Sequence, residues 1–119
     1  MRRGSRHGNN RGTLFDRVAT VRAAMGNGGA SDQLLWITEI GYPTGFQYWS
    51  EQMMADWLHD SFDVLRGMDG IGPIVWYNFR DKGTDPNDPE HHFGLVEQDF
   101  TPKLTYLAYR DYIAEAIEE

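Results

Sequence analysis

Leu14, Val18, Val21 and Met25 recur at three- and four-residue spacing, the period of a helix with one apolar face. Thr13 ahead of them and Asp16 just after predict an N-cap and an acidic first turn, so a helix starts at Thr13. Gly26, Asn27, Gly28 and Gly29 predict its end. Residues 34–40 are then apolar at nearly every position, the pattern of a parallel strand covered on both faces. After a loop over residues 41–49, Ser50 predicts the cap of a second helix. Its stripe of Met54, Trp57, Leu58, Ser61, Phe62, Leu65 and Met68 is broad enough to bury, and Gly67 and Gly70 frame its end.

Residues 71–77 predict a second strand of the same kind, entered through Gly72 and Pro73. Residues 79–92 form a long polar loop dense in Asp, Pro, Gly and His; residues 93–96 read as a short extended piece, followed by a turn at 98–100. Thr101 and Pro102 predict the start of a last helix, Thr as N-cap and Pro as first residue. Leu104, Tyr106, Leu107, Tyr109, Tyr112, Ile113, Ala116 and Ile117 supply its apolar positions. Helix, strand, helix, strand, helix predicts an α/β protein with right-handed crossovers. The connections leaving the strands are the long ones, the arrangement in which such loops build a site at the strands' C-terminal ends.

At 119 residues the chain is one domain at most. Composition is that of an ordinary globular protein, 40% hydrophobic and 24% charged. No apolar run approaches a bilayer-spanning length, so no membrane partner is expected, and the basic start has no apolar segment behind it as a signal peptide would. The absence of cysteine excludes disulfides, thiolate metal sites and thiol nucleophiles, and leaves the compartment undetermined. Net charge is −7, yet residues 1–22 hold six Arg against Asp16, a local +5 that leaves −12 elsewhere. Residues 1–12 read as a basic, flexible leader and residues 13–119 as the folded part. Arg2, Arg3, Arg6 and Arg11 lie among Gly, Ser and Asn without aromatic partners, which argues against a nucleic-acid partner.

One carboxylate stands out. Glu39 closes the first strand, in step with Leu35 and Ile37, while Trp36, Thr38 and Ile40 take the other side. If the Glu39 side faces the interior of a larger sheet, the carboxylate must be paired or functional; a strand-end salt bridge is the plain alternative. In the second strand Trp76 is in step with Ile74 and Asn78, and is either a ring presented to a ligand or a core tryptophan. Tyr42 can reach the carboxylate or a ligand hydroxyl, or simply pack in its loop. Arg80 and Asp81 form either an ion pair with each other or a substrate contact.

WITEIGYPT, then GPIVWYNFRD, then HHFGLVEQDFTPKLTYLAY together resemble the C-terminal end of clan A glycoside hydrolases, in particular family 39 and family 5-like, cellulase-type enzymes, over about residues 13–117. The resemblance implies the last two strands, with their helices, of a partial (β/α)8 TIM barrel. It also implies an O-glycosyl hydrolase of carbohydrate metabolism, of the retaining type and acting on β-linked oligo- or polysaccharides without a cofactor. It makes Glu39 the catalytic nucleophile and Trp76 the aromatic floor under the sugar; Tyr42, Asn78 and Arg80 are added as candidate substrate contacts from their positions near the strand ends. Relatives are often secreted.

Retention requires a second carboxylate about 5–5.5 Å from the first. In that clan the acid/base is a Glu closing the fourth strand, and no such segment occurs here. The chain is therefore expected to be a truncated C-terminal fragment, inactive alone and able to self-associate through uncovered barrel edges. The alternative is an inactive half-barrel that binds carbohydrate or associates with itself.

Asp81, Asp85, Asp88, Glu90, His91 and His92 raise the question of a metal, but their spacing does not fit the EF-hand calcium loop, and adjacent histidines on an extended segment diverge. No metal is expected. Where relatives of the clan commonly turn with Asp-Gly, this chain has Asp99-Phe100, and Leu104 stands where a second proline is common. Phe100 adopts a positive φ less readily than Gly, so the turn is expected to differ.

Overall fold

The computed structural model describes residues 5–44 and 49–118. Their order is α1 (Ser5–Asn27), β1 (Leu35–Ile40), α2 (Glu51–Arg66), β2 (Ile71–Trp76), a 3-10 turn (Pro89–His92) and α3 (Leu104–Glu118). β1 and β2 form a two-stranded parallel sheet, so the α/β class read from the sequence holds.

α1 begins at Ser5, not at Thr13. Residues 5–12 of the expected leader thus have helical backbone, and Thr13 is an interior residue rather than a cap. The helix ends as expected, with Gly29 at φ +86 and the Ala30 amide bonded to the Met25 carbonyl at 2.8 Å, a left-handed stop that suits glycine. Arg22 fastens this end by donating to the Gln33 and Ser31 carbonyls at 2.6 and 3.0 Å. Its guanidinium also lies over Gly70 so closely that a side chain there would collide with it.

α2 forms as its sequence dictates. The Ser50 hydroxyl accepts the Met53 amide at 3.1 Å, and Met54, Leu58, Ser61, Phe62 and Leu65 are buried. That stripe seals one face of the sheet. Leu58, Phe62, Trp76, Leu95 and Tyr112 make the main core, with Ile40, Ile74, Tyr106 and Tyr109 packed against it. The sheet register pairs Leu35 with Ile71, Ile37 with Ile74 and Ile40 with Trp76, with an irregularity in each interval.

The expected extended piece at 93–96 runs beside the chain that leaves β2. The Asn78 amide bonds the Phe93 carbonyl, the Leu95 amide the Asn78 carbonyl and the Val96 amide the Phe79 carbonyl, all at 2.9–3.0 Å. α3 starts at Leu104 rather than at Thr101. Its first amide is held by the Glu51 carboxylate at 3.0 Å, an acidic cap supplied from α2 and well matched to a helix N-terminus. The expected apolar set of α3 divides: Tyr112 is buried and Tyr106 and Tyr109 pack inward, whereas Leu104, Leu107, Ile113 and Ile117 are exposed.

Candidate active site

Glu39 is exposed at the C-terminal end of β1. With Ile40, Gly41, Tyr77, Glu90 and Phe93 it lines a cleft of about 240 Å³. Three segments contribute: the end of β1, the residue just after β2, and the 3-10 turn with the residue that follows it. The two strand ends meet at Gly41, where an added Cβ would overlap the Tyr77 carbonyl oxygen, and the Tyr77 amide bonds the Ile40 carbonyl at 2.8 Å. The peptide between Tyr77 and Asn78 is cis.

Phe93 meets the Tyr77 ring edge-on at 5.5 Å. The Lys82 ammonium lies 5.8 Å from the centre of the same ring and 3.7 Å from the Glu90 carboxylate. A hydrogen bond with Tyr77, and after it the Glu90 charge, hold the Lys82 ammonium above its ordinary pKa. The cleft thus presents two carboxylates, one ammonium at the rim and two aromatic rings, Tyr77 and Phe93.

Of the expected catalytic and substrate-binding residues Glu39, Trp76, Tyr42, Asn78 and Arg80, the structure places only Glu39 on this cleft; Glu90, considered above for a metal, lines it as well. Trp76 lies on the opposite side of β2, 8% exposed, with its ring 5.9 Å from both Phe62 and Tyr42; it is a core tryptophan, and the aromatic facing the cleft is its neighbour Tyr77. Tyr42 also turns to the helices. It packs edge-on against Trp57 at 5.1 Å, with its hydroxyl 3.3 Å from that of Ser61.

Arg80 leaves the cleft altogether, donating to the Gln98 carbonyl at 2.7 Å and covering the Phe100 ring at 4.3 Å. Its expected partner Asp81 instead pairs with Lys103 at 2.8 Å in the interior. Adjacent side chains on extended backbone diverge, which is why Arg80 and Asp81 do not meet. Asn78 uses its backbone to join the strand end to residues 93–95, and its side-chain Oδ1 is buried without a hydrogen-bond partner among the described residues.

Tyr77, Lys82, Phe93 and Lys103 were not singled out from the sequence. Tyr77 had a signal, being in step with Val75 on the side of β2 opposite Trp76; Lys103 had none. The histidines of the polar loop hold that loop together. His91 Nδ1 accepts the Asp85 amide at 3.1 Å, and His92 Nε2 lies 2.7 Å from the Asp85 carbonyl. Among the described residues no three His, Asp or Glu side chains gather as a metal would require, and no helix is long and apolar enough to cross a membrane.

No protein-family model and no curated protein matches the chain. Solved structures do. A family 39 glycoside hydrolase from the gut symbiont Bacteroides cellulosilyticus WH2 is 32% identical over 61% of this chain, with a TM-score of 0.56. A Ruminococcus gnavus β-glucuronidase matches 88% of the chain at 19% identity and TM-score 0.69. A Streptomyces cattleya GH5_18 protein in complex with GlcNAc matches 93% at 16% identity and TM-score 0.67. The chain spans 14%, 19% and 29% of these three proteins respectively. It has a glycosidase-like fold, corresponding to a minor part of each.

Proposed function

We propose that these residues form the C-terminal part of a (β/α)8-barrel glycoside hydrolase of the retaining type, acting on β-linked oligo- or polysaccharides. The observation that carries the reading is the placement of Glu39. It is an exposed carboxylate at the C-terminal end of a parallel strand, opening onto a cleft with an aromatic wall, where barrel enzymes keep their catalytic groups.

Glu39 attacks the anomeric carbon as the glycosidic C–O bond breaks and the leaving oxygen takes a proton from the acid, and the glycosyl ester so formed is then hydrolysed by water. Tyr77 offers a ring against which a sugar face packs. The other cleft carboxylate, Glu90, is engaged by Lys82, so we assign the proton donor to strands outside these 119 residues, and the chain alone is expected to be inactive.

The test joins residues 13–119 to the N-terminal strands of a family 39 glycoside hydrolase to complete a barrel. Glu39→Ala should abolish turnover of aryl β-glycosides, and azide should restore part of it by attacking from the vacated side, giving the inverted glycosyl azide. Full activity in Glu39→Ala, or a folded protein that azide does not rescue, would remove Glu39 from the nucleophile's role.

A further inference from the structure

Lys103 is 3% exposed and its partner Asp81 7%. A buried ammonium needs an acceptor for each of its three N–H bonds. Lys103 has three: the Thr44 hydroxyl at 2.6 Å, the Asp81 carboxylate at 2.8 Å and the His92 carbonyl at 3.3 Å. These acceptors lie on three different segments, and each segment carries one wall of the Glu39 cleft. Thr44 ends the stretch that begins with Glu39, Ile40 and Gly41; Asp81 follows Tyr77; His92 sits between Glu90 and Phe93.

The three segments are also joined to one another around the ammonium. The Thr44 amide bonds the His92 carbonyl at 2.9 Å, and Asp81 Oδ1 accepts the Gly94 amide at 2.8 Å. Gly94 lies so tightly against the backbone of Arg80, Asp81 and Val96 that no side chain fits there. Stability alone does not call for an ion pair at this point, because well-packed apolar residues often serve as well or better in a buried position. A charged group with three directional contacts differs from an apolar plug in fixing relative position.

We propose that Lys103 is a positioning residue that sets the Glu39 carboxylate against the Tyr77 ring, acting through Thr44, Asp81 and His92. The significance of that geometry rests on the reading of Glu39 as nucleophile, but the clamp is testable without turnover. The 119-residue chain has no cysteine, so Lys103→Cys can be aminoethylated selectively with 2-bromoethylamine while unfolded and then refolded. This restores an ammonium at nearly the original reach.

Carbon-detected NMR of the Glu39 carboxyl and the nuclear Overhauser contacts between Glu39 and Tyr77 are compared in four forms: the unaltered chain, Lys103→Met, Asp81→Asn with Lys103→Met, and the aminoethylated Lys103→Cys. The unaltered and aminoethylated forms should share the Glu39 carboxyl chemical shift and its contacts with Tyr77. Both Met forms should lose them while keeping the β1–β2 amide contacts. The double variant covers the case in which Lys103→Met, with Asp81 stranded, does not fold.

Unchanged Glu39 signals in a folded Met form overturn the proposal. So does a loss that aminoethylation does not reverse, or collapse of both Met forms with no recovery on aminoethylation. Failure of azide rescue in the completed barrel would withdraw the nucleophile and leave these NMR outcomes as they are.

Discussion

Gly41 and Tyr77 touch backbone to backbone: the glycine Cα lies against the tyrosine carbonyl oxygen with no room for a Cβ. The contact draws the ends of two parallel strands together one residue past the β1 terminus, and it brings Glu39 and Tyr77 to one cleft. Gly41→Ala should therefore push the strand ends apart and cost about 1–3 kcal/mol, as overpacking does. Gly26→Ala is the control, since it meets nothing closer than 4.0 Å within α1 and should stabilise by roughly 0.5–1 kcal/mol. Urea titration of both variants checks the pair; equal effects would contradict the close approach.

The two neighbouring aromatics should separate cleanly. Trp76→Ala empties a core position and should cost about 3–5 kcal/mol of stability. Tyr77→Ala, in the completed barrel, should leave the melting temperature closer to that of the parent and raise KM or lower kcat. The reverse ordering in a melt and a rate assay would place Trp76, not Tyr77, at the substrate.

Tyr112 joins α3 to α2 by donating to the Asp63 carboxylate at 2.7 Å. Burial and then this bond raise its phenol pKa above the usual 10. A pKa raised on folding means that the neutral phenol stabilises the fold; the contribution is complete below about pH 10 and fades as pH climbs through the raised value. Tyr112→Phe should cost about 0.5–1.5 kcal/mol near neutrality, and its stability should fall less steeply than the parent's above pH 10. Denaturation midpoints measured from pH 7 to 11 test both points.

Phe100 holds φ +73, a conformation that costs a side chain roughly 1–2 kcal/mol. Arg80 over its ring offsets part of this, by about 0.5–1 kcal/mol at an exposed site. Phe100→Gly should raise stability more in an Arg80→Ala background than in the parent, because the compensating contact is then already gone. A double-mutant cycle measures the difference.

Val75 is 52% exposed on the sheet side opposite Trp76, and Ile113 and Ile117 are 42% and 78% exposed on α3. Sheet edges and apolar faces of this kind invite pairing with another chain. The 119-residue chain should self-associate, and light scattering should give a mass that rises with concentration. A monodisperse monomer would oppose this.

Most of helix α2 was legible, because an apolar stripe at helical spacing has only one way to face the core; Trp57 is only half-buried and Met68 lies past the helix end at Arg66. The strands were legible as strands but not in their facing. Ile74 and Trp76 do share a side, as their spacing requires, yet in a parallel strand apolar on both faces the alternation does not say which side meets the helices. Reading that sign the wrong way turned Trp76 toward the cleft, whereas the residue that lines it is Tyr77. Asp81 and Lys103 are 22 positions apart, and no local periodicity links them. The adjacent Arg80 offered a partner that extended backbone cannot deliver. The end of α1 was written in its glycines, but its start was not: residues 5–12 carry no large apolar side chain to extend the helical period, and Thr13 offered a favourable cap in its place.

The chain of rings through the core gives the molecule an optical signature. Trp76 is enclosed by Phe62 and Tyr42, whereas Trp36 and Trp49 stand 59% and 37% exposed. Its fluorescence should combine a short-wavelength component from the enclosed indole with a long-wavelength one from the wetted pair. Denaturant should extinguish the first and leave the second nearly in place. Trp57, half-buried with its indole nitrogen shielded, adds to the short-wavelength component, so removing Trp76 alone should weaken that component without abolishing it.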